Sequence, residues 1–255
     1  MSLFQTLICR TDALVEARES LFEDRGSYVI QRTPDQPDYW SGNGIISRDR
    51  APLDEQRARF AAAFPEATHV SITWDIPDLT PYAAAPEGFD WEEDDVLALE
   101  GPVRPAPAPA GIELRRIESA EDWSAVSALQ TATGVEEGHP EEPHAAFNER
   151  RFARIRADAE SGHGAWFGAF DGEMLVADMG LVIGDGLARF RNVETRASHR
   201  RRGICAALLS QVTAGIGTGI TPVIVAERDG AAGRLYRRAG FRLAERGLTL
   251  QKRGY

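Results

Sequence analysis

Residues 193–207 read VETRASHRRRGICAA. Val193 to Thr195 have the character of a strand end, Arg200, Arg201, Arg202 and Gly203 make a basic turn, and Ile204, Cys205, Ala206 and Ala207 open a helix of small residues. A strand, turn and helix in this order can hold an anion with backbone alone. The N–H groups of the turn and of the first helical residues have no acceptor in the chain, and the positive end of the helix dipole adds to them. Gly203 lets a ligand approach the backbone closely, and Ala206 and Ala207 keep the helix near its neighbours. The competing reading of the same residues is a solvated arginine cluster.

A second stretch, residues 222–241, reads PVIVAERDGAAGRLYRRAGF. It predicts a short β-branched strand over 223–225, a break at Asp229 and Gly230, a helix through Tyr236, and a stop at Gly240 before Phe241. Together the two stretches resemble the GNAT superfamily of acyl-CoA N-acyltransferases. Arg200 and Gly203 fill the first and fourth slots of that family's central motif, Arg/Gln-x-x-Gly-x-Gly/Ala, and Cys205 stands in the last slot. Leu235, Tyr236, Gly240 and Phe241 match its Leu-Tyr-x-x-x-Gly-Phe motif, and Asp229 occupies a position where the family often has Asn.

The resemblance implies an α/β (α+β) fold with a mixed central sheet flanked by helices, covering residues 112–255, and acetyl-CoA as the cofactor. It also implies the roles. Backbone groups of Val193 and Thr195 would pair with the pantetheine arm where strands splay apart. The amides of Arg201, Arg202, Gly203, Ile204, Cys205 and Ala206, with Arg200 and Asp229 nearby, would hold the rest of CoA. Tyr236 would be the acid that protonates the departing sulfur, although its place beside the apolar helix face of Ala232, Leu235 and Ala239 also suits plain packing. Glu194, on the strand beside the thioester, is the candidate base. Regular alternation puts Glu194 on the face of Ala188 and Phe190, opposite Val193 and Thr195, so a buried structural role stands equally with the catalytic one. His199 reads as a phosphate neighbour or an exposed side chain.

The order of elements agrees. The Pro/Ala stretch GPVRPAPAPAG, residues 101–111, predicts an extended connector between an N-terminal domain, 1–100, and the transferase domain, 112–255. After it come a strand over 112–117, a helix capped by Ser119, a Glu-rich loop, a helix over 143–159, and strands over 165–170, 174–183 and 188–195. A final strand over 243–250 follows the tyrosine helix, and the family's last hairpin is expected to be short or completed by the other domain. Residues 1–100 predict strands over 27–31, 44–47 and 69–73 and a helix over 53–64, without a second basic cradle. They are either a degenerate half of the same kind or an unrelated α+β domain. Tyr39, Trp40, Trp74 and Trp91 line an acceptor pocket or, more simply, belong to the core.

The chain carries a formal charge of −10, and residues 1–110, with 9 Arg against 20 acidic residues, hold essentially all of the excess. An acidic total without an extended basic face argues against nucleic acid, while the arginines 189, 191, 196 and 200–202 form a basic island suited to a polyanionic cofactor. Cys9 and Cys205 lack metal or disulfide spacing, so no metal is expected. The opening MSLFQTLICRTD lacks a basic start and a sustained apolar run, so a cytoplasmic chain without a membrane partner is expected, as monomer or homodimer. The loop TGVEEGHPEEPH, with Glu136, Glu137, Glu141 and Glu142, attracts a cationic amine or merely solvates the surface. These readings converge on an N-acetyltransferase acting on a primary amine of a small molecule or peptide, by direct attack in a ternary complex. The alternative is a non-catalytic acyl-CoA-binding regulator.

Overall fold

The computed structural model describes residues 2–254. They form two compact units whose boundaries do not follow the sequence spans 1–100, 101–111 and 112–255. The first unit takes the chain up to Leu97, then Val225–Gly233 and the stretch from Leu243 on; the second takes Ala98–Ile224 and Arg234–Arg242.

In the second unit, β6 (Ile112–Arg116) leads into α3 (Ala120–Glu136), whose first turn is closed by the Ser119 hydroxyl accepting the Asp122 N–H. Next come α4 (Glu141–Glu160) and the antiparallel strands β7 (Ala165–Asp171), β8 (Met174–Gly184) and β9 (Leu187–Thr195). After α5 (Ile204–Ala214), the strand β10 (Thr221–Glu227), which belongs to this unit as far as Ile224, pairs parallel to β9, and α6 (Ala231–Ala239), which belongs to it from Arg234, follows. The strand order is β10-β9-β8-β7-β6.

Trp123, Val126 and Leu129 of α3 and Phe152 and Ile155 of α4 pack with Trp166, Phe170 and Leu175 on one face of this sheet. Ile204 of α5 packs with Ala169, Val176 and Ala177 on the other. The Pro/Ala connector has no regular secondary structure over 102–109 and is anchored within the same unit: Arg104 N–H donates to the Ala239 carbonyl and Ala106 N–H to the Ser210 hydroxyl.

The first unit contains α1 (Leu7–Glu16), β1 (Leu21–Asp24), β2 (Tyr28–Arg32), β3 (Gly44–Ser47), α2 (Leu53–Ala63), β4 (Val70–Trp74), most of β5 (Asp90–Ala98) and nearly all of β11 (Arg242–Lys252). Sequence reasoning missed α1, β1 and β5. Strands β1, β2 and β3 are antiparallel neighbours, β4 is parallel to β3, and β11 lies between β4 and β5. Ile30, Ile45, Ile72, Trp74, Phe60 and Leu250 fill the core, to which Trp74 belongs rather than to a pocket.

Both units therefore run through the same succession: a helix, three antiparallel strands, a helix, and a strand parallel to the third. They differ where the third strand ends. In the first unit β3 and β4 stay paired through Ser47 and Trp74, and Asp75 N–H still donates to the Ser47 carbonyl beyond. In the second, β9 pairs with β10 only from Leu187 to Arg189, and residues 190–195 run on without it.

Two expectations are corrected here. The Glu-rich segment is not a loop: Glu136 ends α3, Glu137 caps it, and Glu141 and Glu142 form the first turn of α4, where their charge complements the helix dipole. His199 is neither exposed nor free for phosphate. It is buried, with Nδ1 at 2.8 Å from the Ser198 hydroxyl and Nε2 at 3.2 Å from Asp171.

Candidate functional site

The opening between β9 and β10 begins at Phe190, so one edge of β9 has unshared backbone groups as far as Thr195. Arg196 N–H donates to the Val176 carbonyl on β8. By alternation from there the backbone groups of Thr195 face away from β8, into the opening. The acceptor among them is already used, since Arg200 Nε donates to the Thr195 carbonyl at 2.9 Å.

The turn that follows has the backbone of an anion nest. Arg201 (φ 63°) and Gly203 (φ 82°) are both left-handed, and Gly203 is the N-cap of α5 without any side-chain cap. The first α5 amide to find a carbonyl is that of Ala207, bonded to Gly203 at 3.0 Å. The amides of Ile204, Cys205 and Ala206 thus precede the helical ladder. A β-carbon added at Gly203 would meet nothing within 4 Å, so the space before the nest is open. Orphaned amides, a left-handed cradle and open space in front fit the diphosphate of a CoA ester. Of the three arginines, Arg200 is committed to Glu136 at 2.6 Å as well as to Thr195, and Arg202 lies 3.9 Å from Asp171. The amides, with the exposed Arg201 and Arg202 beside them, make the offer to an anion. Asp229 belongs to the first unit; it is left-handed (φ 60°), with its side chain almost fully exposed.

Glu194 does not stand where alternation predicts. Across β8 and β9, Gly180 faces Arg191 while Asp178 faces Glu194, so Asn192 and Val193 together oppose Met179 alone. This is a β-bulge, with Asn192 in the left-handed region (φ 48°). It inverts the parity of everything beyond. Glu194 shares the α3 face with Asp178, and Thr195, opposite Ala177, takes the face of Phe190. Burial, with Glu137 and Glu136 adding repulsion and Arg200 opposing, raises the Glu194 carboxyl to about 7. A carboxyl in that range exchanges protons at neutral pH.

Tyr236 is 4% exposed, and burial, then the neighbouring Cys205 and Glu194, raise its pKa, so the hydroxyl keeps its proton. Burial, with Glu194 adding, likewise pushes the Cys205 thiol up to about 12, which leaves it a poor nucleophile. The structure thus brings Glu194, Cys205 and Tyr236 within electrostatic reach of one another beside the nest.

Sequence reasoning missed the residues behind Glu194. Asp178 is fully buried, its Oδ1 accepting from Gln130 Nε2 (2.9 Å) and its Oδ2 from Trp166 Nε1 (3.0 Å). Burial holds its pKa above the ordinary range against these two donors, and Glu194 raises it further. The only sequence signal was an Asp inside an apolar strand, MLVADMGLVIG.

The corresponding junction of the first unit is closed. Between β3 and α2, Asp49 accepts from Ala51 N–H (3.2 Å), Gln56 Nε2 (3.0 Å) and both terminal nitrogens of Arg59 (2.9 and 3.0 Å). Burial pushes this carboxyl up, and Arg59, Ala51 and Gln56 overcome it, leaving it below its ordinary value. In this unit the chain's own carboxylate takes up the donors of the junction. Among the described residues no helix is long and apolar enough to cross a membrane, and no cluster of three His, Cys, Asp or Glu is disposed to hold a metal ion.

No protein-family model matches the sequence, nor does any curated protein. Solved structures do. A conserved protein of unknown function from Staphylococcus epidermidis superposes with a TM-score of 0.66 at 12% identity, over 93% of this chain and 95% of its own. A GCN5-related N-acetyltransferase from Kribbella flavida gives 0.64 at 20% identity, over 96% and 93%. Another, from Sphaerobacter thermophilus, gives 0.56 at 18%, over 95% and 85%.

Proposed function

The chain has the fold of the GCN5-related N-acetyltransferases, and from that premise we propose that it transfers an acetyl group from acetyl-CoA to a primary amine of a small molecule or peptide, by direct attack in a ternary complex. The observation that carries the reading is the opening between β9 and β10 beside the nest at Arg201–Ala206. The same topology in the first unit stays paired through Ser47 and Trp74, so the loss of pairing is a property of one unit and not of the succession of elements.

Bound acetyl-CoA would supply an activated acyl carbonyl. The amides of Ile204, Cys205 and Ala206 bind diphosphate oxygens, and the α5 dipole adds to them. The backbone of Val193 and Thr195 orients an extended amide-bearing arm by strand-like pairing. Glu194 takes a proton from the incoming ammonium or amine, directly or through water, because its carboxylate is half populated near neutrality. Tyr236, whose raised pKa keeps the proton on Oη, donates it as a hydrogen bond to the sulfur as thiolate charge develops there. No nucleophile on the enzyme is required, and Cys205, held as a thiol, does not offer one. The charge that favours a cationic acceptor comes from Glu137 and Glu194, since Glu136 is neutralised by Arg200.

The test is calorimetric titration of the intact protein with acetyl-CoA, CoA and ATP, followed by thiol release in the presence of a panel of amines. Micromolar acetyl-CoA binding, an order-of-magnitude expectation, together with amine-dependent thiol release supports the transferase. Binding without turnover on any amine returns the regulator reading, and a folded protein that binds no acetyl-CoA overturns both.

A further inference from the structure

The bulge at Asn192 decides which face of the sheet Glu194 occupies, and one side chain holds it. Gln130 of α3 sends its two amide hydrogens to two places: Nε2 donates to the Asn192 carbonyl at 3.0 Å and to Asp178 Oδ1 at 2.9 Å. Its Oε1 accepts from Asn192 Nδ2 at 3.4 Å. Gln130 is buried, and Asp178 is fixed in turn by Trp166. Asn192 itself is exposed, so its left-handed conformation is not imposed by packing around its side chain. Asn tolerates that region better than most residues, and the two contacts to Gln130 supply the remaining bias. Without the bulge, regular alternation would turn Glu194 toward the apolar α5 face, among residues such as Ala177 and Ile204.

We propose that Gln130, held by Asp178, is a positioning residue that pins the Asn192 bulge and thereby presents Glu194 on the α3 face of the opening. The proposal rests on the reading of Glu194 as the base. It adds that the base is placed by a buried polar clamp on a different element, and not by its own strand. The charged or titratable groups facing Glu194 are Glu136 and Glu137 from α3, Arg200 from the turn after β9, Asp178 from β8, Cys205 from α5 and Tyr236 from α6.

The test needs no substrate. The protein is labelled with ¹³C at glutamate carboxyls, and the Glu194 resonance is identified by its absence in Glu194→Gln and titrated by NMR. The titrated proteins are the wild type, Gln130→Leu, Asn192→Val and Asn192→Gly, each with a thermal melt. Valine disfavours the left-handed conformation and glycine accepts it, both at an exposed position that leaves the core untouched. The wild type and Asn192→Gly are expected to titrate at about 7. Gln130→Leu and Asn192→Val are expected to titrate higher, as Glu194 turns from its present neighbours toward the apolar α5 face.

Cooperatively melting Gln130→Leu and Asn192→Val proteins whose Glu194 midpoint is unmoved would overturn the proposal while leaving the base reading intact. Should Gln130→Leu fail to fold, Asn192→Val against Asn192→Gly decides alone. A wild-type midpoint in the ordinary carboxylate range would instead remove the base reading, and the clamp's purpose with it.

Discussion

Replacing Glu194 by glutamine removes a titration without removing volume, and its effect on stability follows from the environment of the carboxyl. Folding raises this group from about 4.5 to about 7, chiefly by burial. The folded state therefore binds the proton more tightly than the unfolded state does. The contribution favours folding fully below the unfolded value and is lost as pH rises through the folded one. A rise of that size corresponds to a loss on the order of 3 kcal/mol between pH 4 and pH 8. Glutamine, a neutral isostere of the protonated acid, escapes that loss. Glu194→Gln is thus expected to match the wild type at pH 4.5 and to exceed it by up to about 3 kcal/mol at pH 8. Urea denaturation of both proteins at five or six pH values measures the difference directly. Equal stabilities across the range, or a variant weaker at pH 8, would refute the claim that burial charges a cost to this carboxylate. With that claim would go the reason for its neutral pKa.

Other expectations follow from the same geometry. The kcat/KM for amine acetylation should fall about tenfold per pH unit below about 7, as Glu194 protonates, and a profile flat down to pH 5 would count against it as base. Gly203→Trp fills the open space before the nest. Its left-handed backbone costs stability about 1–2 kcal/mol. Loss of two or more charge-assisted amide bonds weakens acetyl-CoA binding by about 3 kcal/mol or more, read by calorimetry, and an unchanged Kd would mean that the anion binds elsewhere. Gly180→Ala drives a β-carbon into the Trp166 ring, which is 2% exposed, so a loss of about 1–3 kcal/mol in urea unfolding is expected. Asp49→Ala leaves Ala51 N–H, Gln56 and Arg59 without their acceptor in the first unit. It should lower stability by about 1–2 kcal/mol, discounted for the partial exposure of the pair, with no change in acetyl-CoA affinity.

The cradle was legible because its chemistry is local. An αL glycine, orphaned amides and small helical residues are set by neighbours within a few positions, so residues 200–206 announce themselves in order. The bulge was not legible, because the conformation of Asn192 is set by Gln130, 62 residues earlier, and period-two alternation has no term for an extra residue. The glutamate-rich segment misled for a different reason. Glu is a good helix former, and Pro140 just before α4 belongs at a helix start, so only Glu137 to Pro140 remain between the helices. Strand β5 was hidden by its acidic first half, DWEED, in which Trp91 is the one apolar residue, while Val96, Leu97 and Ala98 carry the apolar signal only at its end. Basic character suggested that Arg200 meets phosphate, but only the fold shows its guanidinium spent on Glu136 and Thr195.

The pairing of β11 with β4 joins Lys252 to Val70 and Thr249 to Thr73, partners separated by about 180 residues of chain. During synthesis the residues of the second unit have almost all emerged before β11 has begun to appear. The first unit, although earliest in sequence, completes its sheet last. Until then β4 presents a bare edge beside Ile72 and Trp74, the kind of edge that recruits another strand when left waiting. The rate of reaching the native state should accordingly be set by this long closure and not by the local helices, and an early pause of the ribosome would be costlier to the beginning of the chain than to its middle.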